Sequence, residues 1–281
     1  MMEETGLNMK IKRFLSIVLL LCLSLFANEK QKLILAVNPY KTTPELQVIH
    51  AELINYLEKA LQREIVFVVS KDYNNLITLI EQGSVDIASL SPKLFATLRV
   101  KDPTIPYLAS IKFADAQGNV RSSYRSLIVT LSDSSILTFA DLKGKSFGFT
   151  DLDSTSGYLY PRFMMRQKGI DPAKELGKIY MLKKHPKVIQ ALLEKSIEAG
   201  ALYDGIYRGL SKAEKEKIRI LATSEEIPHD VMVASKQMDK ALVTKIQALL
   251  LAFHSTPSSS FNIAGFEEKS LFFYDRLLDL E

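Results

Sequence analysis

The chain has 281 residues, 24 % charged and 47 % hydrophobic, and its 36 basic residues exceed its 32 acidic ones by a formal charge of only +4. That is the composition of a globular protein and excludes a disordered or an integral membrane chain. So small an excess, with no basic run to concentrate it, gives a nucleic-acid role no electrostatic footing. The length suits one large or two moderate domains.

The N-terminus reads as a secretory signal peptide over residues 1–27. Lys10, Lys12 and Arg13 form its positive region, residues 14–26 are apolar, and Ala27 is a small residue at the cleavage point. The apolar run is shorter than the ~20 residues of a membrane span, so export to the periplasm is expected, with retention as an N-terminal anchor as the alternative. The single cysteine, Cys22, lies inside this run. Beyond it the chain therefore holds no disulfide, no thiol nucleophile and no cysteine metal site. No second apolar segment is long enough to span a bilayer.

Short apolar runs then alternate with helical patterns. A buried strand is expected over residues 32–37, an amphipathic helix over 44–61 and a second strand over 64–69. Residues 76–82 read as a helix stopped by Gly83, and 86–90 as a third strand. Strand and helix in alternation at this spacing argue for parallel βαβ units. The pattern restarts after a break, with strands expected at 126–131, 146–150, 179–182, 199–203 and 218–222 and helices at 139–142, 158–168 and 186–195. A strand at 230–234, a long helix at 236–253 and a short helix at 267–278 complete it. Two α/β units follow from this pattern. The chain crosses to the second near Ser123 and Tyr124 and returns between Thr223 and Pro228. The expected lobes are 28–123 completed by 226–281, and 124–225.

The stretch richest in chemistry joins the strand ending at Thr150 to the helical pattern that follows. It holds Ser154, Thr155, Ser156 and Gly157, three hydroxyls and a glycine at a helix N-terminus. Free backbone N–H groups and the positive end of the helix dipole meet there. Hydroxyls add donors, and Gly157 lets a ligand approach the backbone, so the loop forms an anion site without formal charge. An ordinary N-cap needs one hydroxyl.

Residues 151–161, DLDSTSGYLYP, resemble the D-x-x-S-T-S-G-Y-x-x-P segment of the phosphate, phosphite and phosphonate ABC-transporter binding proteins. The flanking pieces follow in that family's order. They are Asp72-Tyr73, IEQGSVDIA at 80–88, Ser91-Pro92, Tyr124-Arg125-Ser126, LTFADLKGK at 137–145, His185, Asp204 and IPHD at 227–230. The resemblance spans roughly residues 32–255. It implies the type II periplasmic binding-protein fold: α/β, two-lobed, each lobe a mixed, mainly parallel sheet flanked by helices, with the ligand cleft between. It also implies a small oxyanion ligand, a membrane permease as partner, a monomeric binding protein and no cofactor. Of the site residues, Ser154, Thr155, Ser156 and His185 match donors to the phosphonate oxygens. Tyr73 and Tyr124 match tyrosines at the cleft edge, Ser91 a hydroxyl of the opposite lobe. Asp204 and Asp230 lie near positions where relatives place carboxylates that receive an ammonium group. Residues 199–203, AGALY, lack the second acidic or polar residue of those relatives, which puts an aminoethyl tail in doubt.

His50 and His254 read as structural or exposed, and residues 212–219 as a solvated helix face. Tyr158 and Tyr160, two apart at a helix start, face different directions and make a poor ferric-ion pair. Neither a nucleophile elbow, a phosphate loop nor an H-E-x-x-H motif occurs. Two other readings remain. One is a ligand sensor for a membrane signalling partner; the other is a dehydratase-like enzyme using His185 or Asp204, which turnover of a ligand would reveal.

Overall fold

The computed structural model describes residues 32–115, 118–255 and 261–281; the expected signal peptide lies outside them. Strand β1 (Leu33–Val37) leads into helix α1 (Thr43–Leu61), β2 (Ile65–Val69), α2 (Tyr73–Glu81), β3 (Ile87–Leu90) and α3 (Pro92–Lys101). In α1, Leu46, Ile49, Leu53, Leu57 and Leu61 are buried at helical spacing. The helix starts where Glu45 accepts the Thr42 N–H at 2.9 Å, half of a capping box. Gly83 follows α2 at φ +68°, the left-handed conformation that ends the helix.

Next come β4 (Tyr107–Ala114), β5 (Val120–Arg121), β6 (Ser123–Tyr124), β7 (Ser126–Leu131) and β8 (Phe147–Phe149). A π-helical turn over Thr155–Leu159 opens into α4 (Tyr160–Gln167), followed by α5 (Pro172–Glu175), β9 (Ile179–Met181), α6 (His185–Leu193) and β10 (Ala199–Tyr203). The rest is α7 (Asp204–Gly209), α8 (Lys212–Glu216), β11 (Ile218–Thr223), β12 (Ile227–Pro228), β13 (Val231–Ala234), α9 (Lys240–Ala252), β14 (Asn262–Glu267) and α10 (Phe272–Asp275).

One sheet has the order β14-β4-β13-β3-β1-β2 with β5 on β4; the other runs β11-β7-β10-β8-β9. Both are mixed. Parallel pairing is confined to β2-β1-β3 and to β10-β8-β9, and β13, β4, β14, β7 and β11 are all antiparallel to their neighbours. The antiparallel share is larger than alternating βαβ units alone provide, because late strands return to pair with early ones. Between the sheets, β6 and β12 form a two-stranded antiparallel ribbon, Tyr124 opposite Ile227.

Two local expectations fail. The helix expected at 267–278 is the end of β14 followed by α10 and a 3₁₀ turn over Arg276–Leu280. The helix expected at 139–142 is a single 3₁₀ turn. Helix α3 and strands β4 and β14 were not expected at all. β14 pairs with β4 from about 150 residues further along the chain, a distance at which local patterning carries no signal.

The halves meet directly. The Lys93 N–H donates to Thr155 Oγ1 at 2.9 Å, its ammonium to the Leu152 carbonyl at 2.9 Å, and Ser91 Oγ to the Asp153 carbonyl at 3.4 Å. One buried apolar cluster runs across this contact, from Ala36, Leu76 and Phe95 to Leu127, Leu159 and Leu202. The conformation is closed.

Candidate functional site

The C-terminal ends of the parallel strands converge on the contact between the sheets, where ligands of open α/β sheets bind. Asn38 follows β1, Ser91 follows β3, the hydroxyl loop follows β8, and Tyr203 ends β10. A cavity of about 40 Å³ lies there. At ~10–15 Å³ for a water-sized probe, it has room for a group of a few heavy atoms.

The half built on the β11-β7-β10-β8-β9 sheet supplies Ser154, Thr155, Ser156, His185 and Tyr203 to its wall. Ser154 caps the π-turn, its Oγ accepting the Gly157 N–H at 3.0 Å. The amides of Thr155 and Ser156 then open the turn without an intrahelical acceptor. Thr155 Oγ1 accepts the N–H of Lys93, so its own hydroxyl proton is free to be donated elsewhere. The loop is held by Asp151, whose carboxylate meets the Lys183 ammonium at 3.2 Å. His185 opens α6, and its Nδ1 accepts the Tyr203 N–H at 3.2 Å. That bond puts the imidazole proton on Nε2. Burial, with Lys41 nearby, holds the His185 pKa down to about 3. The ring is therefore a neutral donor.

The half built on the β14-β4-β13-β3-β1-β2 sheet supplies Asn38, Tyr40, Tyr73, Ser91, Phe113, His229, Asp230 and Phe261, and the ribbon supplies Tyr124. Asp72 caps α2 through the Asn75 N–H at 2.7 Å, which sets Tyr73 in the first turn. Tyr124 sits in the β6 strand of the ribbon and stacks on His229 at 5.0 Å. Burial pushes the Tyr73 and Tyr124 hydroxyls up, with Asp230 adding to both, so they stay protonated donors. Burial likewise raises the Asp230 carboxyl to about 7, and no donor among the described residues reaches it. No lysine or arginine lines the cavity among the described residues. A guest here meets hydroxyls, amides and a neutral imidazole on one side and a carboxyl poised near neutrality on the other.

Eight of the expected site residues, Ser154, Thr155, Ser156, His185, Tyr124, Tyr73, Ser91 and Asp230, line this cavity. Two do not. Asp204 faces away, ion-paired with Arg208 one turn on in α7. Gly157 has a packing role: a Cβ there would stand 1.9 Å from Thr150 Oγ1, so the turn seats on β8 only without a side chain. Asn38, Tyr40 and Tyr203 belong to the wall without having been expected there. Each lies at the end of an apolar strand run, and only the facing half shows that such an end is a wall.

The family model for the ABC transporter, phosphonate, periplasmic substrate-binding protein matches residues 35–270. The chain belongs to that family. Among solved structures, a Prochlorococcus marinus phosphonate-binding protein in complex with methylphosphonate superposes with a TM-score of 0.77 at 16 % identity, over 90 % of this chain and 97 % of that one. A binding-protein component of a Pseudomonas aeruginosa ABC phosphonate transporter gives 0.70 at 20 % identity, over 90 % and 85 %. At these identities the likeness is one of fold, the two-lobed architecture with its cleft between. A phosphate-import protein of Mycolicibacterium smegmatis is 26 % identical over 136 residues, 48 % of this chain and 42 % of that protein. The match thus spans less than half of that relative. The family is a substrate-binding, periplasmic one, and among the described residues no helix is long and apolar enough to cross a membrane.

Proposed function

We propose that this protein captures a small phosphorus oxyanion, a phosphonate, phosphite or phosphate, and delivers it to the permease of an ABC importer without transforming it. The observation that carries the reading is the cavity wall, a set of neutral N–H and O–H donors gathered at the mouth of a helix. Methylphosphonate in the Prochlorococcus marinus structure and phosphate import by the mycobacterial relative fit such a wall. The lobes are 28–123 with 226–281, and 124–225, after removal of residues 1–27, and the β6–β12 ribbon is the hinge between them.

Capture works by closure. In an open form the anion docks on the amides of Thr155 and Ser156 and on the hydroxyls of Ser154 to Ser156. His185 adds its Nε2–H, already oriented by Tyr203. Rotation about the ribbon then brings Tyr73, Tyr124 and Ser91 over the ligand. Because the bonds from both lobes form only when closed, the ligand binds the closed state more tightly and shifts the population toward it. The permease reads that closed shape.

Asp230 decides the proton inventory. A carboxylate against an anion is repulsive, so either Asp230 or the ligand oxygen facing it carries a proton, and one O–H···O bond results.

Calorimetric titration of the full-length protein with phosphite, phosphate and methylphosphonate tests the proposal. Ser156→Ala combined with Thr155→Ala should weaken binding of the preferred anion more than about tenfold, a loss of ~1.4 kcal/mol. Unchanged affinity in the folded double variant would remove the loop from the site.

A further inference from the structure

Two donors on the first lobe, the Asn38 amide and the Tyr40 hydroxyl, have no partner among the described residues. Asn38 is 1 % exposed. Its Oδ1 accepts the backbone N–H of Ser91 at 3.1 Å. Exchanging oxygen and nitrogen would set the amide NH₂ against that N–H, donor against donor, so the orientation is decided by its partner. The Nδ2 group is thereby left at the cavity wall, buried and with no acceptor at full hydrogen-bond geometry among the described residues, though the Tyr73 hydroxyl is near enough for the amide to hold its pKa down. Two residues on, the Tyr40 hydroxyl is also buried and unpartnered on the same wall. Its ring is fixed edge-on against Tyr203, 6.3 Å between centroids at 78°. Buried donors without acceptors are rare because each costs the fold its desolvation. Two of them, side by side and facing the cavity that holds the hydroxyl loop on its other wall, point to an acceptor that arrives with the ligand.

We propose that Asn38 and Tyr40 are further hydrogen-bond partners of the anion on the first lobe, beyond Tyr73 and Ser91, an inference that rests on the oxyanion reading above. An amide NH₂ only donates. The ligand face it meets is therefore an oxygen, neither an ammonium group nor an alkyl group. A compact oxyanion presenting oxygens to both lobes satisfies the loop, His185, Asn38 and Tyr40 together, whereas an aminoalkyl phosphonate whose tail lies toward β1 leaves Asn38 unmatched.

The test is calorimetric titration of phosphate, phosphite, methylphosphonate and 2-aminoethylphosphonate into the full chain and two variants, with thermal melts of each protein alone. Asn38→Asp keeps the oxygen that Ser91 needs and replaces the donor by an acceptor. It should fold and bind the preferred anion at least about tenfold more weakly. Tyr40→Phe removes only the unpartnered hydroxyl, so affinity should fall several-fold while the melting temperature of the protein alone holds or rises. A structural role would lower both together, and that result overturns the inference for Tyr40. Affinities within twofold of the parent in both variants overturn it altogether. A parent protein that binds none of the four anions overturns the oxyanion reading and this inference with it.

Discussion

Replacing Asp230 by Asn should stabilise the ligand-free protein, and the gain should grow with pH. The Asp230 carboxyl stands at the cavity wall just before β13, and no donor among the described residues reaches it. Burial raises its pKa to about 7, whereas a free aspartate titrates near ~3.9. Between those values the folded chain holds a proton that the unfolded chain has lost. Folding takes that proton up, so the stability contributed by this group falls as pH rises from about 4 to about 7 and levels off above. Roughly three pKa units at ~1.36 kcal/mol each set a ceiling of ~4 kcal/mol. The effective dielectric around a buried group exceeds that of dry protein, so about 2 kcal/mol is the expected net cost at pH 8. Asparagine has the shape of the protonated acid and never ionises. Urea unfolding followed by circular dichroism should show the variant more stable by about 2 kcal/mol at pH 8 and by less than ~1 kcal/mol at pH 5. An equal gain at both pH values, or a larger one in acid, would refute the assignment of a buried, unpartnered carboxyl.

The buried histidines predict the opposite slope. Burial lowers His50 to about 4 and His185 and His229 to about 3. The unfolded chain binds protons at these sites below pH ~6.5 and the folded chain does not, so stability is lost as pH falls from there toward the folded values. Melting curves between pH 7 and pH 4.5 should show this loss, and His50→Leu, changed away from the cavity, should flatten it. Gly157→Ala should destabilise by more than ~2 kcal/mol, because the new Cβ would meet Thr150 Oγ1 at 1.9 Å and Thr150 Cβ at 2.8 Å. Thr150→Ala in the same chain should restore part of the loss in a thermal melt. Lys93→Met removes the bond to the Leu152 carbonyl and the ion pairs with Glu281 at 3.0 Å and Asp153 at 3.9 Å. Stopped-flow release should then be several-fold faster with association nearly unchanged, since the contacts with Leu152 and Asp153 join the two halves, whereas the pair with Glu281 does not; slower association instead would contradict that.

The hydroxyl loop was legible before any coordinates because its cues are local. A strand end, a cap and a run of donors follow one another within ten residues, whereas Tyr73 and Ser91 were placed by the resemblance. Asp204 was placed by the resemblance and not by a local cue, and Arg208, four positions on, takes it as an ion pair on its own helix. Gly157 is also constrained from below, by Thr150, the residue that follows β8.

Two α/β units, and a donor-rich loop that begins the helix after β8, are legible in local sequence. These follow from apolar periodicity, capping chemistry and motif order, all of which act over a few residues. Only the tertiary structure decided what faces that loop. Asn38 and Tyr40 become its counterpart, and Asp230 a nearly neutral acid, once the two sheets close and exclude water from the space between them. Desolvation and the meeting of donors across a cleft are properties of the assembled surfaces, which no local stretch of sequence encodes.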